Sequence, residues 1–251
     1  MAELKALIFD VDGTLADTEE GHRIAFNQAF ANNNLDWNWS SELYGKLLAV
    51  TGGKERMKFY IEAYNPPVPE VDDLDAFIAD LHKQKTALYS RTIEEGKMPL
   101  RPGVKRLMLE AREQGIRLAI ATTTSPKNVE VLLTHSVAED AMSWFDVIAA
   151  GDIVKAKKPA SDIFDHALAQ LGLHPDNCVA LEDSANGLKS ARGANLRTIV
   201  TVNNYTKNDN FDGATLVVSH FGEPDNHFEV LSGEVDTNQY QYVNIDLLKS
   251  L

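Results

Sequence analysis

Short apolar runs alternate with amphipathic stretches along much of the 251-residue chain. A short apolar run that ends at glycine or polar residues is typical of a buried strand. Five such runs are residues 5–9, 117–121, 145–149, 178–181 and 198–202. Helical patterns between or after the later runs cover residues 104–114, 128–135, 163–171 and 184–194. This alternation predicts an α/β fold with a doubly wound, mostly parallel sheet and helices on both faces.

The alternation is interrupted after the first run, where strand patterns nearly vanish and helical patterns dominate. Ile24, Ala25, Ala29 and Phe30 have the spacing of one buried helical face. We interpret this region as a helical insertion that forms a cap over the ligand-binding edge of the sheet. The predicted division is a core of residues 1–15 and 97–251 and a cap of residues 16–96.

Composition and charge narrow the classes of partner. The net charge of −13 excludes a general nucleic-acid-binding surface, because such surfaces are basic. No apolar stretch is long enough to cross a bilayer, and the first residues lack the pattern of a secretory signal. The single cysteine, Cys178, cannot form an internal disulfide, which fits a reducing compartment. We therefore expect an intracellular protein without nucleic-acid or membrane partners.

The sequence Asp10-Val11-Asp12-Gly13-Thr14 directly follows the first predicted strand. Residues two apart in extended backbone point the same way, so Asp10 and Asp12 can face one ligand. Asp10 could act as a nucleophile, and Asp12 as a general acid and base, a task that a raised pKa favours. An ordinary turn is the alternative for this pentapeptide alone. A calcium-binding loop is excluded, because Leu15 and Gly21 occupy the positions that require glycine and glutamate.

Two further motifs offer contacts for a phosphate group. Thr122, Thr123 and Thr124 end a predicted strand, where hydroxyl and backbone N–H groups can receive phosphate oxygens. Lys157 and Lys158 follow the next strand and could neutralise the charge of a transferring phosphoryl group. Taken alone, the threonines could equally end a strand or cap a helix, and the lysines could be solvated.

The fourth motif, Glu182-Asp183-Ser184, follows another predicted strand. Mg²⁺ prefers one or two carboxylates together with water and substrate phosphate, so this pair of carboxylates is a candidate Mg²⁺ site. Helix capping by Asp183 or Ser184 is the alternative. All four motifs follow predicted parallel strands, whose carboxyl ends gather the functional loops of such a sheet. Together they supply the groups that phosphoryl transfer needs.

The four motifs, DVDGT, ATTT, KKP and LEDS, resemble in sequence and order the signature motifs of the haloacid dehalogenase (HAD) superfamily. The resemblance implies a Rossmann-like core with an inserted α-helical cap, and a phosphoric monoester hydrolase that forms an aspartyl-phosphate. It implies that Asp10 is the nucleophile and Asp12 the acid/base. It also implies phosphate binding by Thr122, Thr123 and Lys158, and Mg²⁺ binding by Asp10, the backbone carbonyl of Asp12, Glu182 and Asp183.

Longer fragments, among them TGGKERM, LAIATTTSPKNVE and KKPASDIF, are similar to CbbY-like proteins, which are related to β-phosphoglucomutase and phosphoglycolate phosphatase. This similarity implies that the substrate is xylulose 1,5-bisphosphate, a Rubisco inhibitor formed beside the Calvin cycle, and that the product is xylulose 5-phosphate. It implies a location in the cytoplasm of a carbon-fixing bacterium or cyanobacterium, or in a chloroplast stroma. We expect a monomer that binds a small phosphorylated sugar.

Four residues of the predicted cap are candidate substrate contacts. Lys54 and Arg56 follow two glycines and could reach a second phosphate when the cap closes, with a solvated helix start as the alternative. A nucleotide-binding P-loop is excluded by the spacing. The resemblance places Glu19 and His22 where family members have hinge and substrate-contact residues, although a lone histidine could equally be packing.

Two other functions use the same motifs or the same fold. A phosphomutase of the β-phosphoglucomutase type would pass the phosphoryl group to a sugar instead of water. A catalytically inactive sugar-phosphate-binding protein would keep the fold, but the complete set of motif residues argues against it. Dehalogenation is disfavoured, because displacement of halide needs no leaving-group acid and leaves Asp12 without a purpose.

Overall fold

The computed structural model describes residues 2–95 and 98–251, which form a seven-stranded sheet flanked by helices. The strands are β1 (Ala6–Phe9), β2 (Arg117–Thr122), β3 (Val147–Ala150), β4 (Cys178–Glu182), β5 (Arg197–Thr201), β6 (Leu216–Val218) and β7 (Val230–Gly233). Their order in the sheet is β3-β2-β1-β4-β5-β6-β7, and β7 alone among them runs antiparallel to its neighbour. The predicted fold class is confirmed.

Among the residues that the structure describes, five helices separate β1 from β2, and single α-helices then alternate with the strands as far as β5. The helices are α1 (Thr18–Asn32), α2 (Ser41–Leu47), α3 (Gly53–Tyr64), α4 (Leu74–Glu94), α5 (Val104–Glu113), α6 (Pro126–Leu132), α7 (Asp162–Leu171), α8 (Ala185–Gly193) and α9 (Ile245–Lys249). A π-helical turn continues α6, and two short 3₁₀ turns precede β3 and β4. In the part of the chain that the structure describes, none of the helices is both long and apolar enough to cross a membrane.

Successive residues of β1 pack on opposite faces of the sheet. Leu7 and Phe9 join the hydrophobic cluster beneath α5, α6 and α9, whereas Ala6 and Ile8 join the cluster beneath α7 and α8. Side chains alternate between faces along a strand, and helices cover both faces here. All four residues are therefore buried, which explains why this strand has a continuous apolar sequence.

The strand order determines where the motif loops meet. β1 lies between β2 and β4, and the chain crosses from β3 over β1 to reach β4. The direction of winding therefore reverses between β1 and β4. Ligands of open α/β sheets bind at such a point, beyond the carboxyl ends of the strands. The loops after β1 and β4, which carry the first and fourth motifs, flank this point.

Helices α1 to α4, here called the helical insertion, separate β1 from α5 in the sequence. Aromatic side chains of these helices and of the segment between α1 and α2, including Phe26, Trp39 and Tyr44, form a hydrophobic cluster of their own. The prediction that Ile24 shares the buried face of α1 is wrong, because Ile24 is 55% exposed and Phe26 packs inward. Side chains of adjacent helical residues point about 100° apart, so the face that buries Ala25, Phe26 and Ala29 turns Ile24 outward.

The predicted division of the chain into a core and a cap stays a prediction. The helical insertion lies within the predicted cap of residues 16–96. The predicted boundary between residues 96 and 97 lies outside the described residues.

The region after Gly222 completes one side of the sheet. β7 pairs with β6, and α9 packs against α5 with Ile245, Leu247 and Leu248 fully buried. Arg106 of α5 donates hydrogen bonds to the carbonyls of Gly222 and Val243 at 2.9 and 2.8 Å. These contacts tie the C-terminal region to the core.

Candidate active site

A cavity of about 430 Å³ lies between the carboxyl ends of the strands and the helical insertion. Both parts of the protein contribute predicted site residues to its lining, namely Asp10, Asp12, Glu19, His22, Arg56, Thr122, Thr123, Lys158 and Asp183. Glu182 lies directly behind this lining, in contact with Lys158. Lys54 does not line the cavity. Loops that are far apart in the sequence therefore meet at one edge, as the strand pattern predicted.

Lys158 connects two buried carboxylates at the centre of the site. Its Nζ donates to Asp10 Oδ1 and to Glu182 Oε1, each at 2.6 Å. Burial raises the pKa of Glu182 to about 7, and it also raises the pKa of Asp10, although the positive charge of Lys158 opposes both shifts. One lysine therefore only partly compensates the two carboxylates.

Asp10, Glu182 and Asp183 form a group of three carboxylates whose oxygens lie within 4.8 Å of one another. In the described parts of the chain, no lysine, arginine or histidine forms an ion pair with Asp183. Burial, followed by the charges of Asp10 and Glu182, raises the pKa of Asp183 well above its usual range. A divalent cation would compensate this excess of negative charge, and hard oxygen ligands are what Mg²⁺ prefers. The residues therefore fit a Mg²⁺ site.

Serines cap the helices that follow the fourth and second motifs, as the alternative reading of the fourth motif allowed for Ser184. Ser184 Oγ accepts from the backbone N–H of Gly187 and caps α8, while Asp183 faces the cavity. Ser125 Oγ accepts from Asn128 N and caps α6, while Thr122 to Thr124 line the cavity. Capping and ligand binding are thus divided between adjacent residues.

Asp12 faces the same cavity but has different partners. His22 Nε2 lies 2.9 Å from Asp12 Oδ1, and Lys85 Nζ lies 2.6 Å from His22 Nδ1. An ionised carboxylate can only accept, so His22 presents its Nε2–H to Asp12. Burial raises the pKa of Asp12, but the charge and hydrogen bond of His22 outweigh it, and the pKa lies below its usual range. This shift favours the ionised form of Asp12, whereas the predicted role as a proton donor needs the protonated form.

Arg56 is a buried cation that faces the cavity from α3. It is 8% exposed, and its Nη1 donates to the hydroxyl of Tyr44 at 2.8 Å. The Tyr44 hydroxyl in turn donates to Glu19 Oε2 at 2.8 Å. Among residues 2–95 and 98–251, Arg56 forms no ion pair with a carboxylate. A buried guanidinium without such a partner is suited to an anion that enters the cavity.

Lys54 belongs to a charged contact between the helical insertion and the core. Its Nζ lies 3.2 Å from Asp152 Oδ2, and Lys157 Nζ contacts both Glu55 and Asp152 at 3.1 and 3.0 Å. The side chains of Lys54 and Asp152 are 39% and 65% exposed. Lys54, predicted to contact a phosphate, instead forms a salt bridge between the helical insertion and the core, and Lys157 forms a second one with Glu55.

Sequence reasoning missed two residues that contribute to the site. Lys85 is 4% exposed and lines the cavity, and burial lowers its pKa to about 7. It lies in a polar helical stretch that is typical of a solvated face, so the sequence alone offers no signal for it. Asn203, which donates to Asp183, follows strand β5. The rule that functional loops follow parallel strands could have identified it.

The sequence and the structure of this chain are similar to those of known hydrolases. Residues 4–195 match the haloacid dehalogenase-like hydrolase model. Protein CbbY of Rhodobacter capsulatus is 52% identical over 212 residues, which cover 84% of this chain and 91% of that protein. The crystal structure of CbbY from Rhodobacter sphaeroides in complex with phosphate has a TM-score of 0.83 and 47% identity, and the match covers 88% of this chain and 96% of that one.

A mutant of the Rhodobacter sphaeroides protein, in complex with xylulose 1,5-bisphosphate, superposes with a TM-score of 0.82 at 47% identity, again over 88% of this chain and 96% of that one. These matches include both the sheet and the helical insertion, since they extend over most of each chain. The chain therefore belongs to the haloacid dehalogenase-like hydrolases, and within them to the CbbY-like phosphatases.

Proposed function

We propose that this phosphatase removes the 1-phosphate of xylulose 1,5-bisphosphate and releases xylulose 5-phosphate and inorganic phosphate. The observation that carries the choice of a bisphosphate is the buried Arg56, which faces the cavity without a carboxylate partner. One phosphate would lie at Asp10 and Lys158, and the other would neutralise Arg56. Further support comes from the similarity to a protein whose mutant was crystallised with this sugar.

In the proposed reaction, Asp10 attacks phosphorus and the bond from phosphorus to the sugar oxygen breaks. Asp12 donates a proton to that departing oxygen, and it then removes a proton from the water that hydrolyses the aspartyl-phosphate. The incoming phosphate is an anion, so its approach raises the pKa of Asp12 and favours the protonated form that can donate. Thr122, Thr123 and Lys158 would hold the phosphate oxygens in line with Asp10.

Asp10, Glu182, Asp183 and the backbone carbonyl of Asp12 would hold Mg²⁺. When bound, Mg²⁺ would offset the repulsion between the attacking carboxylate and the phosphate. The proposed roles of Glu19 and His22 follow from their contacts. Glu19 orients Tyr44 beside Arg56, and His22 orients the carboxylate of Asp12.

A phosphate-release screen with product analysis tests the proposed function. The purified protein is incubated with xylulose 1,5-bisphosphate, ribulose 1,5-bisphosphate, phosphoglycolate and hexose 1-phosphates, with Mg²⁺ or with a chelator. We expect fastest release from xylulose 1,5-bisphosphate, and we expect the chelator to abolish it. Conversion of a hexose 1-phosphate into its isomer would instead identify a phosphomutase, and no release from any substrate would identify a binding protein.

The replacement of Arg56 by methionine should weaken the binding of bisphosphates more than the binding of monophosphates. Methionine keeps an apolar stem but lacks the guanidinium. A hydrogen bond to a charged group contributes about 1.5–3 kcal/mol, so we expect its loss to raise KM for the bisphosphate by roughly 10- to 100-fold. Steady-state kinetics on a bisphosphate and on a monophosphate would measure the difference. Lys54→Met is the matched control, and we expect a smaller effect because Lys54 pairs with Asp152 outside the cavity. Equal losses on both substrates would refute the second-phosphate site.

The location and the oligomeric state also remain proposals. From the similarity to CbbY-like proteins, we infer that the protein is located in the cytoplasm of a carbon-fixing bacterium or cyanobacterium, or in a chloroplast stroma. We further propose that the protein is a monomer, which light scattering would test directly.

A further inference from the structure

The loop that follows β5 holds the carboxylate of Asp183. Asn203 Nδ2 donates to Asp183 Oδ2 at 2.6 Å. Within the described residues, no other hydrogen bond to this carboxylate is formed, and Asp183 is 4% exposed. The orientation of a buried carboxylate with a single donor depends on that donor. Asn203 therefore determines which oxygen of Asp183 remains free to face the cavity.

The backbone of the same loop fixes the orientation of the Asn203 amide. Asn203 Oδ1 accepts from the backbone N–H groups of Tyr205 and Thr206 at 2.9 and 3.1 Å. These two donors require an oxygen at that position, so the NH₂ group must point toward Asp183. The amide cannot flip without losing both bonds. Its donor is thus in place before any ligand arrives.

The loop after β1 leaves room for this contact. Gly13 has φ of +82°, and a Cβ at this position would lie 2.0 Å from Asp183 Oδ2 and 2.8 Å from Asn203 Nδ2. The backbone carbonyl of Gly13 accepts from the buried guanidinium of Arg101, which also donates to the carbonyl of Thr201 at 3.1 Å. Arg101 therefore fixes the loop that carries Asp10 and Asp12 relative to the end of β5.

The chemical nature of the donor also matters. Three carboxylates surround the proposed Mg²⁺ position, and Lys158 already pairs with two of them. A lysine or arginine beside Asp183 would neutralise the charge that attracts the cation. A neutral amide orients the carboxylate without competing with the metal. Asparagine combines this property with an acceptor for the loop.

We propose that Asn203 is a positioning residue for the metal site, which orients the carboxylate of Asp183 toward Mg²⁺. This inference rests on the proposed Mg²⁺ dependence and adds a residue to it. Residues that support metal ligands in this way typically change metal affinity by roughly 10- to 100-fold when replaced. We expect a weakening of this size for Asn203 variants, with little change in KM for the sugar.

Two variants separate positioning from a purely structural role. Asn203→Ala removes both functions of the side chain. Asn203→Ser retains a short acceptor for the loop N–H groups but cannot reach Asp183. Asn204→Ala is the matched control, because Asn204 is the exposed neighbour of the same type. Mg²⁺ dissociation constants are measured calorimetrically on the full chain without substrate, alongside melting temperatures in the absence of metal.

We expect a weaker Mg²⁺ affinity in both Asn203 variants and the wild-type affinity in Asn204→Ala. We also expect the melting temperature of Asn203→Ser to stay near that of the wild type. Wild-type affinity in Asn203→Ser and Asn203→Ala would overturn the positioning role while leaving the proposed function intact. A lower melting temperature with unchanged affinity would show that Asn203 only stabilises the loop. A wild-type protein that binds no Mg²⁺ would refute the proposed metal site, and this inference with it.

Discussion

Replacement of Asp10 by asparagine is expected to abolish phosphate release. An amide is a poor nucleophile, and the loss of a catalytic nucleophile in other enzymes lowers kcat by about 10⁴-fold or more. The fold should persist, because asparagine has nearly the same shape and Lys158 keeps its contact with Glu182. Turnover of a phosphorylated sugar, measured with a sensitive phosphate assay, checks the loss.

Two further variants make this result specific. Asp12→Asn should retain the nucleophile but lose the acid/base, so a slow turnover with accumulation of a phosphorylated protein is expected. Intact-mass spectrometry would detect the added phosphoryl group. Asp36→Asn, at an exposed position, controls for the general effect of the substitution. Near-wild-type turnover by Asp10→Asn would rule out the covalent mechanism.

Replacement of Lys158 by methionine should affect both catalysis and stability. Removal of a preorganised charge contact to the reacting group typically lowers kcat by about 10²–10³-fold. Breaking a buried ion pair by removing one partner typically costs about 3–5 kcal/mol of unfolding free energy, and here Asp10 and Glu182 both lose their cation. Lys157→Met, in the same motif, should have a much smaller effect, since Lys157 contacts the more exposed Glu55 and Asp152.

The stability loss in Lys158→Met should grow with pH. Lys158 opposes the rise of the pKa of Glu182, which burial has already brought to about 7 from an ordinary value of 4.5. Without the lysine the pKa of Glu182 in the folded state rises further. Between pH 4.5, the ordinary pKa of Glu182, and this higher value, the folded state keeps a proton that the unfolded state has released. Unfolding free energy is therefore lost as the pH rises from the unfolded pKa toward the folded one.

Urea denaturation of wild type and Lys158→Met at about pH 5 and about pH 8, without metal, would measure this trend. We expect the larger difference between the two proteins at the higher pH. A difference that is equal at both values, or larger at the lower one, would contradict the assignment of Lys158 as the compensating charge for Glu182.

The strand pattern predicted the edge of the sheet at which the motif residues meet, because each strand is recognisable from a few consecutive residues. The strands β1, β2, β4 and β5 are almost entirely buried, and such strands have continuous apolar sequences that end at polar residues. The edge strand β3 is half-buried but ends in the same way. The carboxyl ends of neighbouring parallel strands then necessarily meet at one edge. For this reason the sequence sufficed to bring Asp10, Thr122, Lys158 and Asp183 together.

The helical insertion was less predictable from its sequence. Buried faces that pack a small, separate cluster do not follow a strict period, which is why Ile24 was placed wrongly. Lys54 and Arg56 are two residues apart on α3 and so point in different directions. The tertiary structure turns Arg56 into the cavity and leaves Lys54 with Asp152. The sequence offered no means of telling these two cations apart.

The sequence by itself predicted the fold class and the family, which are both confirmed, and it named the candidate reacting groups, since each depends on residue types at short spacings. The tertiary structure alone decided how those groups are tuned. His22 lowers the pKa of Asp12, and Asn203 orients the carboxylate of Asp183. Lys158 is shared between Asp10, which follows β1, and Glu182, which ends β4. Such effects depend on distances and burial between residues remote in the chain, and a linear sequence does not specify those quantities.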